Sequence, residues 1–155
     1  MKLSVKSDYA ARAVLGLARH YASGSAVRVE DLASEQNLPA NYLVQILLEL
    51  KAAGIARSVR GKEGGYRLAR PTRRITVREA LDVLGGRFFG PGFCENHAGV
   101  RRECVHSTDC AIRPLLAAVQ SVLDGVFGKM TLADLLCSER EASARVTYRI
   151  ANNLL

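Results

Sequence analysis

No apolar run in the 155 residues approaches membrane-spanning length, and the opening MKLSVKSDYAARAV lacks the apolar core and cleavage site of a signal peptide. Both absences argue against a membrane or secreted protein, and a cytoplasmic location is expected. No nucleophile, base and orienting group fall together in a recognisable motif, which argues against an enzyme. The four cysteines include no two at the two- to four-residue spacing of structural zinc sites, so zinc is disfavoured. Acid is almost missing from one stretch: from Lys51 to Arg74 there are eight basic residues and a single acid, Glu63.

What is present is a globular composition, 48% hydrophobic and 24% charged, in a chain long enough for one domain or one domain with an extension. The net charge of +7 is unevenly spread. Residues 1–75 hold thirteen basic and six acidic side chains, whereas residues 76–155 hold nine of each. The whole excess sits in the N-terminal half, which points to nucleic acid there and to another task in the C-terminal half.

The basic stretch belongs to NYLVQILLELKAAGIARSVRGKEGGYRL, residues 41–68. Leu43, Leu47, Leu50 and Ala53 recur at helical spacing and are expected to be buried, with Pro39 in the first turn and Gly54 at the stop. Asn41, Gln45 and Leu48 then face outward, flanked by Tyr42 and Val44, and amide side chains can pair bidentately with adenine. Residues 55–60 and 66–69 read as strands around a turn containing Gly61, Gly64 and Gly65. A helix followed by a basic hairpin is the shape of a DNA-reading helix and its wing, and eight cations against one acid exceed what solubility requires.

Earlier in the chain, residues 1–5 read as an extended lead, and Ser7 is placed as the cap of a helix over about 8–21. Tyr9, Ala13, Val14, Leu17, Ala18 and Tyr21 form its apolar face. A short acid-rich helix follows over 29–36, ended by a left-handed Asn37, so it and the next helix form a helix-turn-helix. Beyond the wing, Thr76 and Glu79 predict a capping box for a helix with Val77, Ala80, Leu81 and Leu84 inward. Residues 88–109 have no periodicity and read as a long loop. A long helix over about 111–127 tolerates Pro114 only in its first turn. Its broad stripe, ending in Val126 and Phe127, suggests pairing with a second copy. Thr131 and Asp134 box a last short helix, and 139–155 reads as a polar tail. The division expected is 1–75, 76–137 and 138–155.

Cys94, Cys104 and Cys110 lie in the loop with nine and five residues between them. Thiolates at loose spacing suit an iron–sulfur cluster, and Cys110 precedes the long helix, whose dipole favours a thiolate. A fourth ligand is missing, with His97, His106 and the more distant Asp8 as candidates. Unligated redox thiols come next. Cys137, among leucines, is read as a packed core cysteine.

With these features the sequence resembles the family of bacterial winged-helix regulators that includes the iron–sulfur cluster regulator IscR and the nitric-oxide-sensing repressor NsrR. The resemblance covers residues 1 to about 137 and rests on KLSVKSDYAARAVLGLA, NYLVQIL, SVRGKEGGYRLARP and TLADLL. It implies a mostly α fold with a small β-hairpin: a winged helix-turn-helix domain and a long C-terminal dimerisation helix. It further implies a homodimer on double-stranded operator DNA and a cluster near the dimer interface, four-iron four-sulfur in preference to two-iron two-sulfur.

By position, Asn41, Tyr42 and Gln45 on the reading helix and Arg60 and Lys62 on the wing carry over, and with Arg57, Gly64, Gly65 and Tyr66 of the wing they make up the expected DNA-binding set. Val44 replaces a glutamate of the iron–sulfur cluster regulator. The histidine that completes the cluster in that branch is Arg113 here, whereas Asp8 matches the aspartate that the nitric-oxide sensor supplies from the partner subunit. The ligand set implied is therefore Cys94, Cys104, Cys110 and Asp8 of the partner subunit. The function implied is a DNA-binding regulator, a repressor, controlled by a cluster sensing nitric oxide, redox state or iron. A cluster-free regulator responding to thiol oxidation or a small effector is the alternative, and an electron-transfer iron–sulfur protein a remote one that would need no basic wing.

Overall fold

The computed structural model describes residues 5–83, 85–96, 100 and 104–152; the extended lead over 1–4, Leu84 and His97 lie outside them. The first helix, α1 (Val5–Arg19), begins earlier than expected. Ser7 is buried inside the helix and does not cap it. The added turn is fixed from outside, because Lys6 reaches Glu49 at 2.8 Å.

Helix α2 (Val29–Gln36) ends at Asn37, which takes the expected left-handed conformation with φ 52°. Helix α3 (Ala40–Ala52) follows almost at once, with Pro39 just ahead of it. Leu43, Ile46, Leu47 and Leu50 are fully buried. Ala53 is exposed: it stands after the last helical residue, so the buried face ends at Leu50 and Ile46 completes it instead.

Strands β1 (Ala56–Val59) and β2 (Gly65–Leu68) pair antiparallel, with Ala56 opposite Leu68 and Arg57 opposite Arg67. Ala56 and Leu68 turn inward and complete a core with Leu17, Leu32, Leu43, Ile46, Leu47, Leu50 and Ile75. The outer edge of β2 is also used: the Val27 amide donates to the Tyr66 carbonyl and the Tyr66 amide to the Val27 carbonyl, both at 2.8 Å.

Helix α4 (Val77–Asp82) carries the expected capping box of Thr76 and Glu79. Burial resists ionisation of Glu79, but the Thr76 amide and the Arg70 guanidinium together hold its pKa below the usual range. Thr131 and Asp134 box α7 (Leu132–Leu135) in the same way, and the Thr131 amide is the main reason Asp134 is also shifted down. Ala80 and Leu132, from beyond residue 75, join the N-terminal core. Val77 N–H bonds the Met130 carbonyl at 2.8 Å and Leu132 N–H the Ile75 carbonyl at 2.9 Å, tying the two capped helices together.

Between them lie a one-turn helix, α5 (Phe93–Asn96), and α6 (Ile112–Lys129), with Pro114 in its first turn. Four residues are too few for a visible period, which is why α5 is absent from the sequence pattern. The apolar residues of α6 divide. Val126 is buried within the chain, so the stripe does not end on a free Val126, while Ile112, Leu115, Val119 and Val122 stay exposed along one side, Leu115 at 63%.

Residues 139–151 form a helix, α8 (Glu139–Ala151), where the sequence reads only as a polar tail. A Ser138–Glu141 capping box starts it, and Arg145 donates to the Asp134 carbonyl at 3.0 Å. No helix of the described residues is long and apolar enough to cross a membrane.

Candidate nucleic-acid interface and cysteine loop

Helix α3 turns Asn41, Gln45 and Leu48 to solvent, as expected from its spacing, and keeps Val44 half-buried. The Asn41 Oδ1 accepts the Tyr42 amide at 2.9 Å, an N–H that the Pro39 carbonyl shares at 3.1 Å. Tyr42 leans on α1, with its ring edge-on to Tyr9 at 5.5 Å. The outer face thus presents Gln45 and the partly engaged Asn41 amide on a helix packed against α1.

The wing's cations are of two kinds, a division the sequence does not reveal. Lys51 donates to Ser58 Oγ at 2.9 Å, Arg67 to the Gly24 carbonyl at 2.7 Å, and Arg70 to the carbonyls of Gly54 and Arg74 and to Glu79. These three brace the hairpin against the helices. Among the described residues, the side chains of Arg57, Arg60, Lys62, Arg73 and Arg74 have no hydrogen-bond or ion-pair partner. Exposed cations without counter-charges are what a phosphate backbone neutralises.

The other wing residues of the expected set have structural duties. A Cβ on Gly64 would lie 2.6 Å from the Gly61 carbonyl oxygen, so the turn closes only with glycine there. Gly65 has φ 149° and passes so near the Val27 carbonyl that a side chain would collide with it. Tyr66 is half-buried against the core and bridged to Val27. Sequence reasoning missed Arg28, whose Nη2 donates to the Lys62 carbonyl at 2.7 Å and steadies the wing tip while the Lys62 ammonium stays free. A contact across thirty-four residues has no local signal.

The cysteine loop is fastened at its base by Gln120, buried on α6, whose Oε1 accepts from the amides of Phe88 and Phe89 at 2.8 and 2.9 Å. Gln120 in turn donates to Asp124 at 2.8 Å, and Arg78 and Arg87 converge on the same carboxylate at 3.2 and 3.0 Å. The loop's far end is held by Arg113, which donates to the carbonyls of His106 and Ser107. Cys94 lies on α5, and Cys110 lies two residues before α6; both are half-buried, as is Cys104.

The expected ligands are not gathered in this conformation. Among the described residues no three of His, Cys, Asp and Glu stand together so as to hold a metal, and within one chain Asp8 is paired with Arg12 at 2.9 Å. The donor set itself suits an iron–sulfur group, since the three thiols are soft ligands, none of them in a disulfide. Cys137 is not a core residue: it is half-buried, and its thiol donates to the Asp134 carbonyl at 3.2 Å.

Comparison with known proteins supports the same picture. A protein of Mycobacterium tuberculosis named as an HTH-type transcriptional regulator is 35% identical over 134 residues, which cover 86% of this chain and 80% of that one. The solved structure of T. potens IscR matches with a TM-score of 0.70 at 30% identity, covering 88% of this chain and 86% of that chain. CymR, named as the global cysteine regulator of B. subtilis, matches at 0.69 with 26% identity, covering 93% of this chain and 98% of that chain. These relatives are named as regulators and not as enzymes. The model of the Rrf2 family, described as iron-dependent transcriptional regulator, matches residues 3–138, and the chain belongs to that family.

Proposed function

We propose that the protein is a homodimeric repressor that reads its operator with α3 and the wing, under the control of the loop carrying Cys94, Cys104 and Cys110. The observation that supports DNA reading most strongly is the group of five unpaired cations, Arg57, Arg60, Lys62, Arg73 and Arg74, beside a helix that presents Asn41 and Gln45 to solvent. The cations hold the phosphates without regard to sequence, while the amides discriminate among bases. Dimerisation runs along the exposed side of α6, where Ile112, Leu115, Val119 and Val122 succeed one another at three- and four-residue steps.

In the sensing half, Cys94, Cys104 and Cys110 hold an iron–sulfur cluster, completed by Asp8 of the partner subunit. Bound there, such a cluster supplies reactivity toward nitric oxide, oxidants or iron loss. The chain's own part is mechanical. Gln120 and Arg113 fix the two ends of the loop on α6, so rearrangement between them is delivered to the helix at the dimer seam. Asp8 would leave Arg12 to serve as the fourth ligand, and it lies in the first turn of α1, where Lys6 and Tyr9 contact α3. The test is anaerobic purification with iron and sulfide measured, followed by a DNA footprint with and without the cluster.

A second reading has support of its own. The cysteines are in no disulfide, no three possible ligands stand together among the described residues, and the fold matches CymR structures, one of them titled as an oxidized form. On that reading DNA affinity follows thiol oxidation in iron-free protein, and the same purification distinguishes the two.

A further inference from the structure

Arg57 and Arg67 stand directly opposite one another on β1 and β2, so their side chains share the face of the hairpin turned away from Ala56 and Leu68. Two cations in that relation repel, and no acid among the described residues pairs with either. Arg67 spends one Nη on the Gly24 carbonyl at 2.7 Å, but its Nε is buried without a hydrogen-bond partner. Arg57 is exposed and unpaired. Both line a cleft of about 280 Å³ closed by the turn from Tyr21 to Ser25 and by Leu68, with no carboxylate on its wall.

A buried orphan donor is unfavourable, and a like-charge pair across a ladder adds to the strain. An acceptor seated in the cleft meets both arginines, since Arg57 and Arg67 line it together. We propose that this cleft is a binding site for a phosphate group, held between Arg57 and Arg67 with Tyr21 on its wall. A phosphate presents several oxygens to planar guanidinium forks, and the volume leaves room for the group to remain attached to a larger molecule. The phosphate can come from a DNA backbone or from a free phosphorylated anion. The proposal rests on the operator reading only where the phosphate is that of DNA, and because its first test uses DNA-free protein the two can fail separately.

The test is titration of the full-length protein with inorganic phosphate against chloride at equal ionic strength, following the Arg Nε–H resonances by NMR. The expected result is a saturable shift of the Arg67 Nε–H that is lost in Arg57→Gln and kept in Arg60→Gln, with circular dichroism showing all three proteins folded. Repeating the titration on the protein–duplex complex then identifies the source. Exclusion of phosphate by the duplex, together with a salt slope lower by about one in Arg57→Gln, assigns the site to a backbone phosphate. Simultaneous binding of both assigns it to a free anion. No phosphate-dependent shift, or one that survives Arg57→Gln, overturns the proposal.

Discussion

Tyr9 of α1 and Tyr42 of α3 meet edge to face, with 5.5 Å between ring centroids and 86° between planes. Tyr9 follows Asp8, so a force on the Asp8 carboxylate acts one residue away from a ring packed on the reading helix. Such a pair contributes about 0.5 to 1.5 kcal/mol beyond its buried area. A double-mutant cycle of Tyr9→Leu and Tyr42→Leu in urea unfolding is expected to show a coupling in that range. A coupling indistinguishable from zero means that the rings do not link the two helices.

Two kinds of wing cation lead to opposite outcomes. Arg60→Ala with Lys62→Ala is expected to weaken binding to every duplex alike and to lower the salt slope by about two, with unfolding unchanged. Arg70→Ala, which loses contacts to Gly54, Arg74 and Glu79, is expected to lower stability first. Salt titrations of duplex affinity beside urea melts check both, and an unchanged slope in the double variant removes the wing from the interface.

The exposed side of α6 makes a sharp prediction about assembly. Leu115→Glu places a charge on a residue 63% exposed, so it costs the single chain little, yet it buries that charge in a paired helix seam. Sedimentation is expected to give a dimer for the parent and a monomer for the variant. A parent that sediments as a monomer at micromolar concentration contradicts the dimer.

Acid sensitivity follows from the capping carboxylates. Glu79 and Asp134 have lowered pKa values in the fold, and so contribute stability at neutral pH that is lost as pH falls through and below the ordinary carboxylate range of about 4. Thr76→Ala removes the hydroxyl half of one box and costs about 1 kcal/mol at neutral pH, while the residue 76 amide still holds Glu79 and keeps most of the acid dependence. Urea midpoints at neutral pH and near pH 3 measure both effects.

The helix-turn-helix and hairpin were legible because their signals are local: leucines at helical spacing, Asn37 at a helix end, glycines at a reversal, capping boxes at fixed offsets. The start of α1 was misread because Lys6 is held by Glu49, forty-three residues away. Helix α8 has polar composition and stands because of its cap and its contact with Asp134. In the wing, charge alone could not separate Arg67, which braces, from Arg60, which is free. The cysteines were visible as a set, but their assembly depends on groups from more than one segment and, on the proposed reading, from more than one subunit.

Control of operator binding by the cysteine loop is read from operator affinity on one anaerobic preparation before and after its cluster is removed, beside Cys104→Ala. The account predicts that the parent contains iron and sulfide and changes affinity when stripped, while Cys104→Ala binds no cluster and remains at the stripped value throughout. A parent whose affinity is the same with and without the cluster, or which differs from Cys104→Ala after stripping, contradicts it.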